Sequence, residues 1–196
     1  MTAINKVTGA ILIGGESRRM GQDKANLPFD GKTLVERVHE RIAPLVDEVF
    51  LVVRPDRLQW AKDLAPAGVR TITDRVKARG PLAGIHAALS EATNPRVLVV
   101  ACDMPELQPS LLAGLLADDS AEVVVPRTEH GFEPLLAVYA KSCLSAVEQT
   151  LAGGPSRIPA FYDKVSVSEW NESKLRQLDP DLRSLVNVNR PEDLPE

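Results

Sequence analysis

Cysteine and aromatic residues are scarce in this 196-residue sequence, and long hydrophobic runs are missing. Two cysteines, Cys102 and Cys143, are too few for a disulfide framework, and the first residues lack the apolar core of a secretory signal. We therefore expect a cytoplasmic protein. No run approaches the roughly 20 apolar residues of a membrane span, which argues against a membrane protein. Aromatic residues at 4% and a net charge of -4 argue against binding to nucleic acid.

Short apolar runs alternate with segments of helical spacing through the first two thirds of the chain. The predicted strands are Val7–Ile13, Glu48–Val53, Val69–Ile72, Val97–Ala101 and Glu122–Val125. Predicted helices follow these strands, with a stripe from Leu34 to Leu45 and with prolines opening the others at Pro55, Pro81 and Pro109. This alternation predicts an α/β fold with a doubly wound, mostly parallel sheet flanked by helices.

The alternation of strand and helix patterns changes after Pro126. An apolar run at Pro134–Tyr139 and a helical stretch from Ser142 to Leu151 predict an antiparallel edge of the sheet. A further strand is expected at Leu185–Val188, before Pro191. With no linker or repeat in between, we expect residues 1–196 to form one domain.

The first predicted strand leads directly into a loop rich in glycine and cations. The loop reads Gly14-Gly15-Glu16-Ser17-Arg18-Arg19-Met20-Gly21-Gln22-Asp23-Lys24. Adjacent glycines let backbone N–H groups approach an oxyanion, and Arg18, Arg19 and Lys24 supply charge for several phosphate oxygens. Because open α/β sheets bind ligands at the carboxyl ends of their strands, the loop predicts a triphosphate site.

Two better-known phosphate loops fit less well. A dinucleotide-binding fingerprint requires differently spaced glycines and an acid at the end of the second strand, where this chain has Arg54. The segment Gly31-Lys32-Thr33 imitates the end of a P-loop, but Asn26 stands at the position of the first P-loop glycine and no apolar strand precedes it. Neither alternative explains the chain.

Asp103 directly follows the apolar strand that ends at Cys102, so its carboxylate is expected at the same sheet edge as the glycine-rich loop. Carboxylate oxygens are ligands that Mg²⁺ prefers. An aspartate after a strand also commonly caps the next turn, and the two roles are compatible because a carboxylate has two oxygens.

Four segments together form a family pattern. They are Leu12–Gly15 with Ser17–Gly21 and Asp23-Lys24, then Gly80-Pro81-Leu82-Ala83-Gly84, then Cys102-Asp103-Met104-Pro105, and finally Asn187–Leu194. In this pattern the chain resembles molybdenum cofactor guanylyltransferases, which are GT-A-like nucleotidyltransferases with a Rossmann-like fold. The resemblance covers essentially the whole chain, although Arg54 stands where the family tends to have asparagine.

The resemblance implies an enzyme that transfers GMP from GTP to a molybdopterin-type cofactor, forming the guanine dinucleotide cofactor and releasing pyrophosphate. It implies Mg²⁺ on Asp103 and transient contact with apo-molybdoenzymes or their chaperones. Catalysis is then expected from positioning and charge neutralisation by Lys24, Arg18, Arg19 and Asp103, without a protein nucleophile. The nucleotide-binding residues that follow from the resemblance and the sheet edge are Leu12, Ile13, Gly14, Gly15, Lys24, Asp74, Gly80, Pro81 and Asp103.

The second substrate is expected to lie near the chain's later segments. On a short strand, Asn187 and Asn189 would point to one face and could each contact a phosphate or a pterin edge. The segments Gly131–Pro134 and Gly153–Arg157 are expected across the cleft, where Arg157 could meet a second phosphate.

Two other functions remain open at this point. The glycine-rich loop indicates that the protein binds a nucleotide but does not indicate the acceptor. The acceptor could therefore be another phosphorylated molecule such as a sugar phosphate. A non-catalytic carrier of the finished molybdenum cofactor would keep the same pocket.

Overall fold

Ten strands and six helices form the part of the chain that the computed structural model describes, residues 6–14, 24–74, 80–154, 157–188 and 193. The strands are β1 Val7–Leu12, β2 Pro28–Phe29, β3 Lys32–Thr33, β4 Glu48–Val53, β5 Arg70–Thr73, β6 Arg96–Ala101, β7 Val123–Thr128, β8 Gly131–Phe132, β9 Leu136–Ala140 and β10 Val167–Asn171. The helices are α1 Leu34–Ile42, α2 Leu58–Leu64, α3 Pro81–Glu91, α4 Pro109–Ala117, α5 Leu144–Ala152 and α6 Glu172–Arg176. Short 3-10 helices occupy Lys24–Asn26, Ala43–Leu45, Pro55–Arg57, Lys141–Cys143, Ile158–Lys164 and Arg183–Leu185.

The main sheet has the strand order β5-β4-β1-β6-β9-β7-β10, with β8 paired to β7. Strand β1 is parallel to both β4 and β6, whereas β9 runs antiparallel between β6 and β7. The predicted α/β fold, mostly parallel with antiparallel pairing on one side, is confirmed. The strand order reverses beside β1, because the chain builds outward to β5 and then returns to place β6 on the other flank of β1.

Apolar side chains cover both faces of this sheet. One cluster joins the sheet to α1, α2 and α4 through residues such as Val38, Ala61 and Leu112. The other joins it to α3, α5 and the 3-10 helix Ile158–Lys164, with Phe161 fully buried. All residues of β1 and β6 are buried, as expected of parallel strands covered on both faces.

The P-loop-like segment belongs to a small hairpin that the sequence analysis did not predict. Strands β2 and β3 pair around Asp30 and Gly31, whose φ angles are +52° and +76°. An Asp-Gly turn with two positive φ angles is typical of a tight hairpin. Thr33 then begins α1 with a capping box, since its Oγ accepts a hydrogen bond from the Glu36 amide and the Glu36 carboxylate accepts one from the Thr33 amide.

The prediction of a strand at Leu185–Val188 is wrong. The chain instead forms the 3-10 helix Arg183–Leu185, because the Asp179 carboxylate accepts hydrogen bonds from the backbone amides of Arg183, at 3.0 Å, and Ser184, at 2.8 Å. These bonds hold the backbone in a turn, so successive side chains do not alternate between two faces as they would on a strand. Among the described helices, none has the length and apolar character needed to cross a membrane.

Asp118, at the end of α4, connects the last strand to the rest of the fold. Its carboxylate accepts hydrogen bonds from Trp170 Nε1 at 2.7 Å, from Ser168 Oγ at 2.9 Å and from the Ser120 amide at 3.1 Å. Burial alone would raise the pKa of Asp118, but the hydrogen bonds from Ser120 and Trp170 outweigh burial and lower that pKa strongly. The ionised carboxylate therefore stabilises the folded state.

We expect Asp118→Asn to lower the free energy of unfolding at pH 7 by about 1–3 kcal/mol, because the amide loses the charge that these donors face. The folded-state pKa lies below the unfolded value, so this contribution is present above about pH 4 and is lost as the pH falls further. Denaturant unfolding at pH 7 and pH 3 should show the gap between the two proteins shrinking in acid. Asp119→Asn, at the exposed neighbour, is the matched control, and a gap of equal size at both pH values would contradict the assignment.

Candidate active site

The carboxyl ends of β1 and β6 meet where the strand order reverses. The Cys102 amide donates to the Leu12 carbonyl at 3.2 Å, and the Ile13 amide donates to the Val52 carbonyl at 2.9 Å. These bonds set Gly14 and Asp103 beside each other at the sheet edge. A Cβ atom added to Gly14 would meet no atom of the described residues within 4 Å. Such a switch point is where open α/β sheets bind ligands.

Asp74 and the start of α3 lie on one flank of this junction. The Asp74 amide donates to the Val53 carbonyl at 3.2 Å, which fixes Asp74 just beyond β5. Gly80 has a φ angle of +116°, a conformation that side chains disfavour, and Pro81 follows it as the first residue of α3. Burial raises the pKa of Asp74, and the positive charge of Arg54 opposes that rise.

Gly84 allows α3 to approach the end of β1 closely. A Cβ atom on Gly84 would lie 3.0 Å from Leu12 Cδ2 and 3.7 Å from Val52 Cγ1. Packing thus accounts for this glycine of the family pattern. The same packing brings the start of α3, at Gly80 and Pro81, close to the carboxyl end of β1 at Leu12 and Ile13.

Arg54 is engaged locally at the end of β4. Its Nε donates to Asp56 Oδ1 at 3.1 Å and its Nη2 donates to Asp56 Oδ2 at 2.6 Å, in a two-pronged ion pair. The pair holds the guanidinium near Asp74, and the positive charge of Arg54 lowers the pKa of Asp74. The departure from the family's asparagine therefore adds a cation to this flank of the site.

The C-terminal segment returns to Asp103. The Val188 amide donates to the Asp103 carbonyl at 2.8 Å, and the Val188 side chain is buried against Leu27, Phe29 and Leu34. Asn187 therefore lies one residue from a backbone bond to Asp103, although not on the short strand that the sequence analysis predicted. Asp103 itself is half-buried.

Several predicted site residues lie outside the described residues. They are Gly15, Arg18, Arg19 and Asn189, and for Lys24 only the backbone, at the start of a 3-10 helix, is described. Their roles stay predictions.

Arg157 is exposed and precedes the 3-10 helix Ile158–Lys164. Tyr162 of that helix meets the Phe132 ring edge-on, with the centroids 5.2 Å apart, which places the helix next to β8. Among the described residues, no hydrogen bond or ion pair joins Arg157 to Asp103. Its part in a second-substrate site stays a prediction.

Glu133 lies at the same sheet edge as Asp103 and is not among the predicted site residues. Burial raises the pKa of Glu133, His130 opposes the rise, and the negative charge of Asp103 adds to it. The two carboxylates are therefore close enough to influence each other. The signal in the sequence that could have identified it is a charged residue directly before the apolar run Pro134–Tyr139.

Known proteins share both the sequence and the fold of this chain. The sequence profile of the MobA-like NTP transferase domain matches residues 9–165. The chain belongs to the MobA-like NTP transferase family. A curated relative from Desulfosudis oleivorans, the molybdenum cofactor guanylyltransferase, is 39% identical and the alignment covers 97% of this chain and 94% of that protein. The family resemblance seen in the sequence is confirmed.

Solved structures agree with this membership. Molybdopterin-guanine dinucleotide biosynthesis protein A from Archaeoglobus fulgidus superposes with a TM-score of 0.81 at 31% identity, covering 95% of this chain and 94% of that one. A nucleotidyl transferase from Methanothermobacter has a TM-score of 0.71 at 19% identity, covering 96% of this chain and 94% of that one, and shows the fold alone.

Val188 should anchor the C-terminal segment of this family member beside Asp103. We expect Val188→Ala to lower the free energy of unfolding by about 1–3 kcal/mol, because two buried methyl groups and their contacts are lost. Trypsin should also cleave the C-terminal segment faster. The matched control is Val186→Ala, at a side chain that is 50% exposed, and equal melting temperatures and cleavage rates in the two variants would contradict the anchoring role.

Proposed function

We propose that this chain transfers GMP from GTP to the terminal phosphate of a molybdopterin-type cofactor and releases pyrophosphate. The observation that carries the proposal is the junction of β1 and β6, where Gly14, the first residue of the glycine-rich loop, and Asp103 follow two hydrogen-bonded strand ends. Full-length similarity to a molybdenum cofactor guanylyltransferase supports the choice of nucleotide and acceptor. We take residues 1–196 to act as one nucleotidyltransferase domain.

The reaction needs no nucleophile from the protein. An oxygen of the acceptor's terminal phosphate attacks the α-phosphorus of GTP, a new P–O bond forms, and the bond to the pyrophosphate leaving group breaks. Both cysteines are buried and outside any disulfide, and burial raises the pKa of Cys143 to about 12, so that thiol stays protonated. Positioning and charge neutralisation are the work left to the protein.

The triphosphate is assigned to the loop that follows β1. The backbone of Gly14 and Gly15, with the cations Arg18, Arg19 and Lys24, would hold its phosphate oxygens. The guanosine is assigned to the flank formed by Leu12, Ile13, Asp74 and the start of α3 at Gly80-Pro81. These cations are needed because Asp74 and Asp103 make the described edge of the cleft acidic.

Mg²⁺ is the cofactor we propose, with Asp103 as its protein ligand. Within the described residues no group of three His, Cys, Asp or Glu side chains could hold a metal ion. The Asp103 carboxylate suits Mg²⁺, which commonly binds through one or two carboxylates together with substrate phosphates and water. When bound, the ion would offset negative charge on the α-phosphate and on the leaving pyrophosphate.

The acceptor is assigned to the other side of Asp103, with Asn187, Asn189 and Arg157 as its proposed contacts. Asn187 is the best supported, because the neighbouring residue Val188 bonds to the Asp103 carbonyl. We place the reaction in the cytoplasm, where thiols such as Cys102 and Cys143 remain reduced. Transient contact with apo-molybdoenzymes or their chaperones would follow product formation.

Pyrophosphate release tests the proposed function directly. The chain is incubated with GTP and Mg²⁺, with molybdopterin-type cofactor, with a sugar phosphate, or with no acceptor. Release that depends on the molybdopterin-type cofactor supports the proposal. Release with the sugar phosphate alone would support a different acceptor, and tight cofactor binding without release would support a carrier.

We expect Asp103→Asn to lower turnover by at least about a hundredfold, as for the loss of one charge acting on the transition state. The fold should survive, because the amide keeps the shape of the side chain and the Val188 bond uses the Asp103 backbone. Turnover at several Mg²⁺ concentrations and the melting temperature are the measurements. Near-normal turnover at saturating Mg²⁺ would remove Asp103 from the metal role.

We expect GTP to be used in preference to CTP by at least about tenfold, the factor that one unpaired hydrogen-bonding group can supply. The segments Gly14-Gly15 and Gly80–Gly84 resemble the guanylyl branch of the family, and Gly15 has no side chain to obstruct a purine. Competition of the two nucleotides for the same acceptor measures this ratio. Equal incorporation would contradict the base assignment and leave the transferase proposal standing.

A further inference from the structure

Glu133 lies on the acceptor side of the sheet edge. In the strand order, β1, β4 and β5 extend from β6 in one direction, and β9, β7 and β10 extend in the other. The residues assigned to GTP follow β1 and β5 or begin α3, whereas Glu133 is on the turn that leads into β9. The Ala101 amide donates to the Leu135 carbonyl at 2.9 Å, which ties this turn to the end of β6, two residues before Asp103.

The backbone around Glu133 is held on several sides. The Glu133 amide donates to the Pro126 carbonyl at 2.9 Å, and its carbonyl accepts from the Leu136 amide at 3.0 Å. The next residue, Pro134, accepts a hydrogen bond at 2.7 Å from the hydroxyl of Tyr139, a residue with no exposed surface. A side chain on such a turn is presented from a fixed position, as recognition requires.

The carboxylate of Glu133 is half-buried, and it accepts no hydrogen bond from any residue within the described ranges. A carboxylate that is partly removed from water without a donor is costly to keep ionised. The pKa of Glu133 is raised accordingly, by burial first and further by the charge of Asp103. A ligand that brings N–H donors would offset this cost, whereas a phosphate would be repelled.

The proposed acceptor has the matching chemistry. The 2-amino-4-oxo ring of a pterin presents an amino group and a ring N–H side by side, and two parallel N–H donors suit the two oxygens of one carboxylate. We propose that Glu133 recognises the pterin ring of the acceptor by accepting hydrogen bonds from these two N–H groups. This assignment rests on the proposed function, since it names the residue that selects the acceptor.

Glu133→Gln tests the assignment, because the amide keeps the size of the side chain but places an NH₂ group where an acceptor is needed. We expect the KM for the molybdopterin-type acceptor to rise by at least about tenfold, as for the loss of one charge-assisted hydrogen bond. The KM for GTP, the Mg²⁺ requirement and the melting temperature should stay near those of the original chain. The matched control is Glu129→Gln in the turn between β7 and β8, where the side chain is 79% exposed.

A binding measurement keeps the test independent of turnover. Binding of 6-hydroxymethylpterin is compared with binding of its 2-oxo analogue, which carries a carbonyl in place of the amino group. The original chain should prefer the pterin, and Glu133→Gln should lose that preference. If the original chain prefers the pterin but releases no pyrophosphate, the proposed function fails while the role of Glu133 stands.

Other results would overturn the assignment. A raised KM for GTP with weaker discrimination against ATP would mean that Glu133 contacts guanine, which carries the same pair of donors. A raised Mg²⁺ requirement would mean that it binds the metal ion. Unchanged kinetics and unchanged pterin preference, or a loss of activity that only follows a lower melting temperature, would leave Glu133 with a structural role.

Discussion

The parallel pairing of β1 with β6 is the interaction on which the site depends. The register runs from Val7 opposite Arg96 to Leu12 opposite Ala101, and every residue in both strands is buried. This pairing brings together two chain segments that are far apart in sequence and ends both at one edge. Because both faces are covered by helices, a slip of one residue would move each side chain to the opposite buried face, where the packing does not fit it. Gly14 and Asp103 therefore share a fixed edge.

The antiparallel strand β9 adds a second group of residues to the sheet edge at the carboxyl ends of β1 and β6. With β9 inserted beside β6, the turn before β9 reaches the same edge as the carboxyl ends of β1 and β6. The described part of this edge carries the carboxylates of Asp74, Asp103 and Glu133. The cations that we propose for phosphate binding, Arg18, Arg19 and Lys24, follow Gly14 in the sequence.

The C-terminal segment completes the site through its backbone and one apolar side chain. Val188 bonds to the Asp103 carbonyl and packs against the hairpin of β2 and β3 through Phe29. The segment from Leu27 to Leu34, which follows the glycine-rich loop in sequence, is thereby packed against the residue that bonds to Asp103. Asp118 lies at the opposite end of the fold, where partly buried hydrogen bonds from Ser168 and Trp170 attach β10 to the end of α4.

The sequence by itself determined the parallel strands, most helix starts, the family and the place of Asp103, because buried strands are continuous apolar runs and prolines mark helix starts. It did not determine the turn at Arg183–Leu185, since a side chain of Asp179 four residues earlier satisfies that backbone. Nor did it determine the nearness of Glu133 to Asp103, which requires β9 to lie against β6. The periodicity of apolar residues indicates which residues are buried. The strand order decides which strand ends, with their polar residues, lie next to each other. Only the tertiary structure sets that order.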